Sequence, residues 1–119
     1  MPYNEKLAHR IWEQLVDLPT IDEKEMMGGI TFLYHEKMCV GVMKDALLCR
    51  INPNLYEGAL EQNGCRPLDS NGRTMKGWVL DDQEALRYES ELKYWIDLAL
   101  DFNKDAKKSR KKKDGYYLS

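Results

Sequence analysis

Residues 25–50 read EMMGGITFLYHEKMCVGVMKDALLCR, and this stretch decides the fold. Ile30, Thr31 and Phe32 are β-prone, so Met26 to Leu33 reads as the first strand. Tyr34 to Lys37 is a short turn, and Met38 to Met43 a second strand. Lys44-Asp45 is a second turn, and Ala46 to Ile51 a third strand. Consecutive strands joined by short turns imply an antiparallel meander. Val40 and Val42 fall on one face of the second strand, and Leu47, Cys49 and Ile51 on one face of the third. This period of two suits a sheet covered on one side.

Working outward toward the N-terminus, Leu7, Ile11, Leu15 and Leu18 recur at helical spacing, and Ala8 and Trp12 widen the apolar face. Asn4 is the expected N-cap. Pro19 ends the helix, because the residue before a proline is pushed out of helical geometry. Residues 19–25 read as a polar connection. Toward the C-terminus, Asn52-Pro53 opens a second helix, with Asn52 as cap and Pro53 in the first turn. Tyr56, Ala59 and Leu60 form its apolar stripe, and Gly64 follows in a left-handed cap position. Asn71-Gly72 is a turn signal within a loop-like stretch, 65–74. Thr74 to Leu80 reads as a fourth strand, with a short fifth near Cys65–Leu68. Ala85, Tyr88, Leu92, Trp95, Ile96, Ala99 and Phe102 fit the buried face of the last helix. It starts either at Asp81–Glu84 or near Ser90, the latter leaving 82–88 as an irregular turn.

The expected fold is therefore α+β, an antiparallel sheet with the order α-β-β-β-α-β(β)-α. The first and last helices each need a partner surface, so both are expected on one face of the sheet. A chain of 119 residues, 43% hydrophobic, fits one domain. That domain is expected to occupy residues 1–103, with 104–119 as a basic, flexible tail. No apolar run approaches the ~18 residues of a membrane span. The first twenty residues are too polar for a secretory signal, so a cytoplasmic location is expected.

Charge divides the chain at the same point. Residues 1–103 hold 11 Lys+Arg and 18 Asp+Glu, a charge of −7, whereas residues 104–119 hold 7 and 2, a charge of +5. In the tail, Lys107, Lys108, Arg110, Lys111, Lys112 and Lys113 are candidates to neutralise phosphates or an acidic partner. Tyr116 and Tyr117 are candidates to stack on unpaired bases. The alternatives are a solvated end and a tail folded back on the acidic body.

Chemistry-bearing motifs are scarce. Cys39, Cys49 and Cys65 form no CxxC pair, so neither a disulfide framework nor a zinc site is expected. Cys65, following Gly64 in a loop-like stretch, is the candidate for a reactive thiol. His9 and His35 are the only histidines, read as surface residues with no carboxylate or cysteine at ligand spacing. No nucleophile-elbow sequence occurs. Asp22-Glu23 and Asp81-Asp82 read as loop and helix-start charges. Gly28-Gly29 leads into a strand and not a helix, so a bulge or close backbone approach is expected there and not a phosphate cradle. Met26, Met27, Met38, Met43 and Met75 fill core positions or line an adaptable binding surface. No enzyme, cofactor or metal is expected.

The element order and these residues resemble the N-terminal domain of the TfoX/Sxy family. Met26, Met27, Gly28 and Gly29 stand where that family has Met-Phe-Gly-Gly opening a strand, with Met27 replacing the usual phenylalanine. Phe32 and Tyr34 match its aromatic segment, Met75 and Trp78 its late Met-x-x-aromatic motif, and Leu92, Trp95 and Ala99 its final helix. The match covers about residues 5–103. It implies an α+β domain related to secretion-chaperone-like folds, and a regulatory link to competence for DNA uptake. The function expected is a non-enzymatic module that binds a protein partner or a second copy of itself. The alternative is a nucleic-acid-binding protein that uses the basic tail.

Overall fold

The computed structural model of the chain describes residues 3–26, 28–70, 72–106, 110–111 and 117–118. Helix α1 (Glu5–Leu15) is capped by Asn4, whose side chain accepts the Leu7 amide at 3.0 Å. Leu7, Ile11 and Leu15 are buried as their spacing predicts, but Trp12 sits at the margin of that face, 38% exposed. The chain then forms β1 (Ile21–Met26), β2 (Gly29–Tyr34), β3 (Lys37–Met43) and β4 (Ala46–Arg50). A 3-10 turn at Pro53–Leu55, capped by Asn52, leads into α2 (Tyr56–Leu60). β5 (Cys65–Ser70) and β6 (Arg73–Asp81) follow. A second 3-10 turn, Gln83–Ala85, precedes α3 (Glu89–Asn103). This matches the later of the two expected starts of the last helix, and it corrects the helix's buried face: Ala85 is buried in the 3-10 turn before it, and Tyr88 is its N-cap and 69% exposed.

The first six strands make one antiparallel sheet in the order β1-β2-β3-β4-β6-β5. Two turns close tightly on non-glycine residues with left-handed backbone: His35 and Glu36 between β2 and β3, and Lys44 between β3 and β4. Such geometry matches the twist of a hairpin. Gly72, φ +76°, does the same between β5 and β6.

Two expectations need correction. Residues 19–25 are not a plain connection, because 21–26 form β1. The first strand does not run unbroken from Met26 into Leu33. Met26 ends β1, and β2 starts at Gly29. A strand of sequence IDEKEM forms because β2 supplies its backbone ladder, from Ile21↔Tyr34 to Met26↔Gly29. Hydrogen bonding in a ladder requires no apolar side chain.

The main core lies between the sheet and all three helices. Ile11, Leu15, Leu92, Trp95 and Ile96 meet Phe32, Val40, Val42, Leu47 and Val79 there. The first and last helices thus share one face, as expected. Arg10 joins them, donating to the Leu86 carbonyl and to Glu89, both at 2.8 Å. At the other end of α3, Lys37 donates to the carbonyls of Asn103 and Lys104, at 2.9 and 3.3 Å. It places a cation at the negative end of a helix with no basic residue in its last turn. The buried body continues past Phe102 to Ala106, which is 7% exposed. Beyond it, Arg110–Lys111 (β7) pairs with Tyr117–Leu118 (β8) in a two-stranded ladder. Among the described residues no helix is long and apolar enough to cross a membrane.

Candidate functional site

The Met-Gly-Gly signature lies where β1 passes into β2. Met26 ends β1, Gly28 has φ +76°, and Gly29 starts β2. Met27 lies outside the described residues. A Cβ on Gly29 would run into the Val42 carbonyl oxygen of β3. A Cβ on Gly41 would lie 2.6 Å from the Ile30 carbonyl oxygen. The two glycines let β2 and β3 approach closely, as a glycine within a strand usually signals. Their role is packing, as the strand context predicted.

The late motif sits elsewhere. Trp78 and Met75 lie on the sheet face opposite the helices, in a second apolar cluster. Residues three apart share a face there because β6 carries extra residues: Thr74 pairs with Asp69 and Val79 with Pro67. Gly77, φ +91°, marks the irregularity. Ala46, Leu48, Trp78 and Leu80 form the centre of this cluster. Met38, Met43, Leu68 and Met75 form its half-buried rim. The Arg50 guanidinium lies 5.2 Å from the Trp78 ring centroid. Every buried residue of the three helices that packs in a cluster packs on the opposite side. Three of the five methionines singled out in the sequence thus border the helix-free face rather than fill the main core.

One buried polar cluster was not legible in the sequence. Asp81 ends β6 between Leu47 of β4 and Cys65 of β5, and it is fully buried. Neither carboxyl oxygen has a partner at hydrogen-bond geometry. Burial pushes its pKa up to about 8. The thiols of Cys65 and Cys49 face it and pull slightly the other way, and Asp82 adds to the rise. The carboxyl is therefore mainly protonated at neutral pH. Asp81 is not a helix-start charge, whereas Asp82 is half-exposed and pairs with Arg66 at 3.1 Å.

The thiols around it are inert. Burial, then Asp81, push Cys65 up to about 12, and burial does the same to Cys39. Cys49 is raised well above the usual thiol range by burial and by Asp81, and its thiol donates to the Trp95 carbonyl at 3.8 Å. A thiol that stays protonated is a poor nucleophile. Cys65 opens β5 and is not in a loop, which removes it as a reactive-thiol candidate. With β6 between β4 and β5, Cys49 and Cys65 stand two strand spacings apart, about 9.5 Å across the sheet, and are further separated by a two-residue offset along it, since they pair with Val79 and Asp81. A disulfide needs Cα atoms within about 7 Å.

The histidines are on the surface, with one correction. His9 does have a carboxylate neighbour: Glu13, one turn on, at 3.3 Å. His35 shares a 3.0 Å hydrogen bond with the Thr20 hydroxyl and tilts against the Tyr34 ring. Among the described residues no three His, Cys, Asp or Glu side chains are grouped to hold a metal. Asp22 and Glu23 are strand residues of β1 and not a loop pair.

Open grooves lie among the described residues as well. One, of about 460 Å³, runs between α1 and β1 and is lined by Tyr3, Trp12, Phe32, Glu5 and Glu23 among others. Another, of about 440 Å³, lies by the start of α3 near Gln62 and Tyr94. The tail candidates Lys107, Lys108, Lys112, Lys113 and Tyr116 lie outside the described residues. Of Arg110, Lys111 and Tyr117, only the backbone is described.

Comparison with curated proteins and with solved structures gave no match. The family model of the TfoX N-terminal domain matches residues 13–103. That span takes in the last turn of α1, the whole six-stranded sheet, and α3 to its last residue. It includes both glycines that hold β2 against β3, and the Met75–Trp78 motif of the helix-free face. This chain belongs to the TfoX N-terminal domain family.

Proposed function

We propose that the chain is a non-enzymatic, cytoplasmic regulatory module that binds a protein, either a partner or a second copy of itself. The observation that carries this reading is the helix-free sheet face. Leu48, Trp78 and Leu80 are buried there, each less than 10% exposed, and the surface left to a partner is the half-buried rim of Met38, Met43 and Met75. Methionine side chains repack around different partners at little cost. Inert thiols, surface histidines and a neutral buried carboxyl leave little with which to run acid–base or nucleophilic chemistry.

Sedimentation of the full chain across micromolar concentrations tests self-association. Met38→Lys with Met75→Lys changes the half-buried rim and not the buried centre. The pair is expected to weaken association at least tenfold with an unchanged circular dichroism spectrum. A parent chain that stays monomeric, and forms no complex with host proteins that these substitutions weaken, sinks the reading.

A second reading rests on the charge of +5 carried by residues 104–119. In it the tail binds nucleic acid and the body is its scaffold. About six phosphate contacts would then make affinity fall by orders of magnitude between low and physiological salt. Titration against short single- and double-stranded DNA and RNA at two salt concentrations decides it. Absence of binding at low salt eliminates this reading.

A further inference from the structure

The two edges of the sheet differ. β5 carries Pro67, which cannot donate to a neighbouring strand. β1, the other outermost strand, has no proline and is exposed along most of its length. Its register pairs Ile21, Glu23 and Glu25 with Tyr34, Phe32 and Ile30, which are core or core-packed residues. The side chains of Glu23 and Glu25 therefore stand on the helix side of the sheet. α1 lies against β3 and α3, so it does not close over them. The result is the α1–β1 groove, floored by Ile30 and Phe32 and walled by Glu23 on one side and Glu5 and Trp12 on the other. Trp12, stacked on Phe32 with centroids 6.5 Å apart, presents its remaining exposed surface there. Tyr3 holds Glu25 through a 3.1 Å hydrogen bond from its hydroxyl.

Charged side chains on an edge strand discourage pairing with an identical edge. Glu23 and Glu25 would face the same residues of a second copy, and like charges placed side by side repel. The same charges favour a strand that brings cations. Two carboxylates two residues apart on one face match basic residues at alternate positions of an extended segment. The aromatic rings beside them suit the aliphatic stems and cationic heads of lysine and arginine.

We propose that the β1 edge and its groove take an extended peptide of another protein by strand addition, with Lys or Arg at alternate positions facing Glu23 and Glu25. This surface lies on the opposite side of the sheet from the methionine-rimmed face, so it serves a second partner independently of that one.

The test titrates isotope-labelled full chain with two end-blocked peptides of equal composition, one alternating Lys and Thr, the other with the lysines in one block. The alternating peptide is expected to shift the Trp12 indole N–H and the β1 amides, and to slow exchange of those amides. Glu23→Gln with Glu25→Gln, both at exposed positions, should weaken it about tenfold at low salt, from two solvent-exposed ion pairs. The blocked isomer should bind more weakly, since only part of its charge reaches the groove. Shifts confined to other surfaces, no effect of the glutamine pair, or equal binding of both isomers overturns the proposal. A further arm replaces Lys107, Lys108, Arg110, Lys111, Lys112 and Lys113 with Ser. Much tighter peptide binding by that variant would give the groove to the chain's own tail and overturn the assignment to another protein.

Discussion

Asp81→Asn is expected to stabilise the domain, and the gain should grow with pH. The carboxyl titrates near its ordinary value of 3.8 in the unfolded chain and at about 8 in the fold. Below about pH 4 both states hold the proton, and the group has no pH-dependent effect. Between pH 4 and 8 the unfolded chain gives up its proton while the folded chain keeps it. Stability is lost over this window at about 1.4 kcal/mol per pH unit, and the loss levels off above it. At pH 7 the loss attributable to Asp81 is then about 4 kcal/mol, a large share of the 5–15 kcal/mol typical of a domain. Asparagine has nearly the same shape as the neutral carboxyl and cannot ionise. Urea unfolding at pH 5, 7 and 8.5 should show the variant drawing ahead of the parent as pH rises. A parent whose stability holds steady relative to Asp81→Asn across that range would show that something pairs with the ionised carboxylate. The thiols of Cys49 and Cys65 would be the first place to look, and Cys65→Ala the next measurement.

Gly29→Val should destabilise the domain by about 2–3 kcal/mol, because the new side chain meets backbone and not a flexible side chain. The Val42 carbonyl it strikes belongs to β3, which is flanked by strands on both sides and packed under α3. That carbonyl cannot move without disturbing the β2–β3 ladder. A fall in melting temperature of roughly 10 °C is the expected reading. Gly58→Ala is the control. Gly58 sits in α2 with nothing within 4 Å of its added Cβ, so alanine should raise stability by about 0.5–1 kcal/mol. Equal melting of Gly29→Val and the parent would leave the Met-Gly-Gly signature without the packing role assigned to it.

Most of the architecture was legible because it follows local rules. The 7/11/15 spacing placed α1, Asn4 capped that helix and Asn52 the 3-10 turn that leads into α2, and alternating apolar residues placed β3 and β4 with the correct faces inward. What escaped was what local rules do not encode. In β1, Ile21 is followed by four charged residues, which reads as loop. It is a strand only because the backbone of Gly29–Tyr34 is there to pair with it. Trp12 fits the helical stripe, yet it is partly exposed because α1 stops short of covering β1.

Asp81 shows the same limit at the level of chemistry. Next to Asp82 it looked like an ordinary helix-start charge. Strand pairing sets it between Leu47 and Cys65, 34 and 16 residues away, and removes it from water. Met75 and Trp78 were recognisable as a motif, but their shared face depends on the irregular pairing of β5 with β6. The sequence by itself determined element type, most element boundaries, the apolar faces and the family, since each depends on neighbours within a few residues. Only the tertiary structure decided which edge of the sheet stays open, which face carries no helix and which carboxyl loses its charge. Those follow from long-range pairing and burial, where the free energy depends on groups that the chain brings together only when folded.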